Sequence, residues 1–175
     1  MKLIVRAALL VGIFSLNFLA TPSSAEARLL EAGQSFPDWS MQDQAGQPIS
    51  SADLSGKTYL LWYYPKAMTP GCTVEGQGLR DSQAKFAAQG VEILGVSFDT
   101  PADNAAFARA EGFSYRLLSD DGALAVQVGA ASSRGQGYAR RISYLVGPDG
   151  KILQAYGSVR PAQHAQQVLA DLPGN

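Results

Sequence analysis

The chain contains one cysteine, Cys72, and one histidine, His164, in 175 residues. A lone cysteine excludes an intrachain disulfide and a Cys-x-x-Cys redox pair, and one cysteine with one histidine is too few ligands for a structural zinc site. Neither metal nor cofactor is expected. His164 falls on the presumed last helix, far in sequence from Cys72, which disfavours a Cys-His hydrolase. Charge is sparse as well: 17% of residues are Asp, Glu, Lys or Arg, with a formal net charge of −1. Nucleic acid and anionic membrane surfaces are therefore not expected partners, because both call for a basic face. The chain has no internal repeat, no low-complexity run and no long linker. What it has is apolar material, at 46% of residues, and a length suited to one domain.

Residues 1–27 read as a secretory leader. Lys2 and Arg6 precede a mostly apolar run over 7–20, and Thr21-Pro22-Ser23-Ser24-Ala25-Glu26-Ala27 offers small residues for cleavage after Ala25 or Ala27. The run is shorter than the roughly 20 residues of a spanning helix, and no cysteine follows it to carry a lipid. An exported protein is expected, periplasmic or else secreted, with no membrane attachment after cleavage. Loss of Lys2 and Arg6 takes the basic residues from 14 to 12 against 15 acidic, or 14 if Glu26 also leaves. Exported proteins normally use cysteine in pairs. A single exported thiol calls for a chemical explanation.

Residues 28–175 read as one domain of α/β class. Short strands surround the turn Gln44-Ala45-Gly46-Gln47, and Ser50 or Ser51 with Asp53 begins a brief helix that Gly56 ends. The run Tyr59-Leu60-Leu61-Trp62-Tyr63-Tyr64, closed by Pro65, is a strand buried on both faces, and 91–97 is a second. Between them a helix is expected over about 72–89, stopped by Gly90. Thr100 as N-cap and Pro101 at the first position start another helix over 101–111. A strand over 142–146, the turn Gly147-Pro148-Asp149-Gly150 and a strand over 151–155 form a hairpin, and a closing helix covers 161–172. This order predicts a three-layer α/β/α sandwich with a mixed central sheet, in agreement with a thioredoxin-like fold. The aromatic run at 62–64 reads as core, and the glycine-containing stretch 132–137 as a surface loop.

The chemistry concentrates in Pro65-Lys66-Ala67-Met68-Thr69-Pro70-Gly71-Cys72-Thr73-Val74-Glu75. It lies where a buried strand ends and a helix begins, which places Cys72 in the first helical turn, beneath unpaired N–H groups and the positive end of the dipole. Such a position favours the thiolate, the nucleophilic form. The alternative is an inert buried thiol acting as a small hydrophobe. A Pro- and Gly-bracketed turn at a strand's carboxyl end is where open α/β sheets build sites.

Pro-x-x-x-Thr-x-x-Cys, here Pro65 to Cys72, resembles the peroxiredoxin signature. The run from Tyr64 through Gly78-Leu79-Arg80-Asp81, with Arg141-Ile142-Ser143-Tyr144-Leu145 and Pro148-Asp149-Gly150-Lys151-Ile152, is similar to the peroxiredoxin Q or bacterioferritin comigratory protein branch. The resemblance spans about 30–172 and implies a thioredoxin-like fold and a thiol peroxidase in which Cys72 attacks hydroperoxides. It implies that Thr69 accepts a hydrogen bond from the peroxide and donates one to sulfur, and that N–H groups around Gly71 and Cys72 hold the peroxide oxygens. Arg141 supplies permanent charge, and Pro65 limits water and fixes the turn. Arg140 and Arg141 adjoin on one strand and point to opposite faces, and the Arg-Ile-Ser-Tyr-Leu match selects Arg141. Glu75 either orients an arginine, as in the family, or simply stabilises the helix N-terminus.

Gln77 departs from the branch, whose members often carry a resolving cysteine five residues after the peroxidatic one. No other cysteine exists to replace it, so a one-cysteine cycle completed by an external thiol or thioredoxin-like reductant is expected. The alternative is an exported redox sensor or binding protein that forms mixed disulfides through Cys72. A monomer or weak homodimer is expected.

Overall fold

A computed structural model describes residues 28–172, so the expected leader lies outside the described residues. The chain forms β1 (Ser40–Asp43), β2 (Pro48–Ser50), β3 (Thr58–Tyr63), α1 (Pro70–Asp81), α2 (Gln83–Ala88), β4 (Val91–Ser97), α3 (Pro101–Glu111), β5 (Arg116–Ser119), α4 (Ala123–Gln127), β6 (Ile142–Val146), β7 (Ile152–Tyr156) and α5 (His164–Ala170). One sheet holds all seven strands in the order β2-β1-β5-β4-β3-β6-β7. The pairs β3/β4 and β4/β5 are parallel and the others antiparallel. The sheet is mixed, and the fold is the thioredoxin-like α/β arrangement.

β3 explains the layering. Tyr59, Leu61 and Tyr63 enter one core with Phe36, Trp39 and the α4 residues Leu124 and Ala125. Leu60 and Trp62, with Tyr64 just beyond the strand, enter the other, where Leu79 of α1, Phe86 of α2, Phe107 of α3 and Val168 of α5 cover the sheet. Each such side chain taken from water contributes about 1.5–3 kcal/mol before the cost of ordering the chain. Gly95 is required by close approach, because a Cβ there would stand 2.6 Å from Leu117 and 3.1 Å from the Trp62 indole nitrogen.

Several boundaries differ from the sequence reading. The helix expected over 72–89 starts at Pro70, whose fixed φ and missing N–H suit the first helical position. It breaks at buried Ser82, where ψ is 0° and the N–H turns back to Arg80 and Gly78 carbonyls. The closing helix begins with a 3-10 turn, Pro161–Gln163, before α5. β5 and α4 were not expected at all. Thr100 does cap α3, accepting from the Asp103 N–H, and the brief helix after Ser50 is a 3-10 turn over Ser51–Leu54.

Candidate active site

The loop from Pro65 to Thr69 leaves the carboxyl end of β3 and delivers α1. Pro65 ends the pairing, since it has no N–H to give a neighbouring strand. Asp99, just past β4, then fastens the loop: its Oδ2 accepts from the Ala67 N–H at 2.8 Å and its Oδ1 from Lys66 Nζ. Asp99 is buried and is itself fixed by its N–H to Ser97 Oγ at 3.1 Å. The Asp99 carboxylate holds the Lys66 ammonium above the ordinary lysine range. Tyr64, at the start of the loop, donates to Asn104 Oδ1 at 2.6 Å, and burial pushes its phenol far above the tyrosine range, so it stays neutral. Met68 takes φ +64°, a left-handed conformation uncommon outside glycine.

Thr69 is the N-cap of α1, followed by Pro70, Gly71 and Cys72. The Gly71 and Cys72 N–H groups are thus among those with no intrahelical acceptor, and they face the site with the dipole's positive end. Cys72 is fully buried and its thiol is free. The Thr69 hydroxyl donates to the Lys66 carbonyl at 2.8 Å. This corrects the expectation that it donates to sulfur: a carbonyl three residues back takes the proton, leaving the oxygen's lone pairs as acceptors.

Arg141 reaches the sulfur through sheet register. β6 pairs antiparallel with β3, Ile142 opposite Tyr63, so the residue before Ile142 arrives where the active loop begins. Arg141 Nη2 donates to Cys72 Sγ at 3.3 Å, and Nη1 donates to Glu75 Oε2. Burial works against the guanidinium, but the Glu75 carboxylate and Cys72 more than offset it, and Arg141 is held charged above its ordinary range. Gly71 makes room, since a Cβ there would lie 3.1 Å from Nη2. Arg140 Nη1 instead donates to the Gly129 carbonyl at 3.0 Å. Both arginines precede β6 and do not lie on it, because ladder pairing starts only at Ile142.

Two residues outside the sequence reading join this arrangement. Asp99 fastens the loop, and its one signal was its place at the carboxyl end of a buried strand. His164, remote from Cys72 in sequence, is fully buried with Nδ1 2.8 Å from Glu75 Oε1. No local pattern on α5 marks that meeting.

Together the first turn of a helix and a fixed guanidinium on the sulfur suit attack by a thiolate on a small electrophile. No cluster among the described residues is suited to a metal ion.

Comparison with known proteins agrees with this chemistry. The AhpC/TSA family matches residues 32–155. Peroxiredoxin Bcp of Escherichia coli K12 is 39% identical over 146 residues, covering 80% of this chain and 94% of that protein. Peroxidoxin BcpB from Mycobacterium tuberculosis superposes with a TM-score of 0.76 at 33% identity, over 82% of this chain and 96% of that one. The bacterioferritin comigratory protein of Xanthomonas campestris, whose structures concern alkyl peroxide reduction, gives 0.74 at 30% identity, over 81% and 97%. The chain belongs to the AhpC/TSA family, the peroxiredoxins. It is a thiol-dependent peroxidase, and its one cysteine fits a one-cysteine mechanism.

Proposed function

We propose that Cys72 is the peroxidatic nucleophile for hydrogen peroxide and organic hydroperoxides. The thiolate sulfur attacks the terminal peroxide oxygen; an S–O bond forms and the O–O bond breaks. Sulfur is oxidised to the sulfenate level, and the departing hydroxide or alkoxide takes a proton to leave as water or alcohol. The observation that carries this reading is the hydrogen bond from Arg141 Nη2 to Cys72 Sγ at the N-terminus of α1. Arg141 donates to the sulfur and stabilises the charge that develops on the departing oxygen, while the Gly71 and Cys72 N–H groups and the Thr69 oxygen hold the peroxide. Glu75 orients Arg141, and Pro65 fixes the turn.

Turnover then uses an external thiol or a thioredoxin-like reductant. One thiol attacks the sulfenic acid, expelling water and forming a mixed disulfide, and a second releases Cys72. Cys72 is fully buried in this structure, so a bulky reductant reaches it only if the Pro65-to-Thr69 loop or the start of α1 moves. The leader-like residues 1–27 support export to the periplasm, and the mature chain works as a monomer or weak homodimer. The experiment is Cys72→Ser in the mature chain, with hydrogen peroxide and cumene hydroperoxide consumption followed in the presence of dithiothreitol and thioredoxin. Wild type is expected to turn over and the variant to show none above background. A retained rate would remove Cys72 from the reaction.

A further inference from the structure

The fully buried imidazole of His164 lies against the carboxylate that holds Arg141, at the oxygen that Arg141 does not use. Glu75 is buried with no solvent access and divides its two oxygens: Oε2 accepts from Arg141, while Oε1 faces His164 Nδ1 at 2.8 Å. That separation is ion-pair distance, although the ring N–H is not aligned on Oε1 for a directed hydrogen bond, and neither atom has another hydrogen-bonding partner among the described residues. The ring is further held edge-on to Tyr156, with centroids 5.6 Å apart at 73°.

We propose that His164 is a positioning residue for Cys72, acting through Glu75 and Arg141. A desolvated carboxylate needs partners on both oxygens. Without His164, Oε1 is buried and unpartnered, and Glu75 turns away from Arg141 to find another partner. That change loosens the guanidinium on the sulfur. The series Cys72, Arg141, Glu75, His164 thus runs from the reacting atom to α5, so that the docking of the last helix sets the aim of the arginine.

The inference rests on the peroxidase reading, and the test separates the two. We would make His164→Leu, His164→Asn and His164→Gln in the mature chain, check each fold by circular dichroism, and measure two rates at Cys72: oxidation by hydrogen peroxide and alkylation by iodoacetamide. Asn places an amide near the position of Nδ1 and Gln places one near Nε2. His164→Leu and His164→Gln are expected to slow both rates by about tenfold or more, and His164→Asn to stay within about threefold of wild type. Glu75→Gln supplies the control for route: in that background His164→Leu should cause no further loss, because interacting residues are not additive. Wild-type rates in all three variants, or a full loss repeated in the Glu75→Gln background, would make His164 a packing residue and overturn the proposal. Should His164→Leu not fold, equal rates for Asn and Gln would overturn it by themselves. Failure of wild type to react with peroxide would overturn the peroxidase reading, while the alkylation series would still report on His164.

Discussion

The sulfur of Cys72 accepts a hydrogen bond from Arg141 Nη2 at 3.3 Å across 69 positions of sequence. The contact is a product of the sheet: Ile142 pairs with Tyr63, so Arg141, just before β6, and the active loop, just after β3, meet at one edge of the site. The same guanidinium binds Glu75, which fixes its plane as well as its position.

Arg141→Ala should therefore slow oxidation of Cys72 by hydrogen peroxide about 10²-fold, on the scale of losing one donor to a developing anion. Arg140→Ala should stay within about threefold of wild type, as expected of a substitution outside the site. Stopped-flow oxidation of the two variants distinguishes them, and a larger loss for Arg140 would contradict the placement of the guanidiniums.

Loop anchorage gives a second prediction. Asp99→Ala leaves the Ala67 N–H without its acceptor and releases Lys66. A buried donor left unpaired costs about 1–3 kcal/mol, and a loop displaced by a fraction of an ångström should slow peroxide oxidation about tenfold. Asp99→Asn retains an oxygen for Ala67 and should recover most of the rate. Equal behaviour of the two variants would show that the loop does not depend on this acceptor.

Much of this architecture was legible from local pattern. Residues 91–97 and 142–146 are strands end for end, because each is a nearly unbroken apolar run and Gly90 or Gly147 bounds it. Thr100 and Pro101 announce α3 through capping chemistry alone. β5 and α4 leave little mark in the sequence because they are only four and five residues long, and β5 is completed by pairing with β1 and β4. The same division holds in the site. Cys72 and Arg141 stand in runs with recognisable residues, whereas His164 meets Glu75 only when α5 docks on α1. The Thr69 hydroxyl misled because a nearby carbonyl competes for its proton.

Packing against α1 yields a third prediction. Gly76 lies under Phe113, where a Cβ would stand 2.4 Å from the ring's Cζ. Phe113 stacks on Tyr115 at 5.1 Å and meets Phe107 edge-on at 5.0 Å, so the ring has little room to retreat. Gly76→Ala gains about 1 kcal/mol of helix preference but overpacks the core at a cost of about 1–3 kcal/mol. Urea unfolding should show no gain and most simply a net loss, with recovery when Phe113→Leu is added. Clear stabilisation by Gly76→Ala alone would mean that the ring yields freely.

The last prediction concerns Gln77, the position where related proteins often hold a resolving cysteine. Cys72 and Gln77 both lie within unbroken α1; five residues of helix give an axial rise of roughly 7.5 Å and about 140° of rotation. That exceeds the approximately 7 Å over which Cα atoms are bridged by a disulfide, so closure requires α1 to unwind. Tertiary contacts resist this. Tyr115 donates its hydroxyl to the Gly76 carbonyl at 2.9 Å, Gln77 Nε2 donates to Glu111 Oε2 at 2.8 Å, and Arg80 Nη1 donates to the Glu111 carbonyl at 2.6 Å. Gln77→Cys removes one of these clasps, and Gly76 and Gly78 lower the cost of unwinding by about 1 kcal/mol each relative to alanine. Peroxide without added thiol should carry wild type to the sulfenate and, in excess, to the sulfinate. In Gln77→Cys the sulfenate should instead condense with the new thiol, losing water to form the disulfide, and the sulfinate should be suppressed. Adding Tyr115→Phe, which frees the Gly76 carbonyl, should speed closure further. Intact mass and peptide mapping read every product. Sulfinate without disulfide in Gln77→Cys would show that α1 stays wound after oxidation, and that the external thiol must then reach Cys72 with the helix in place.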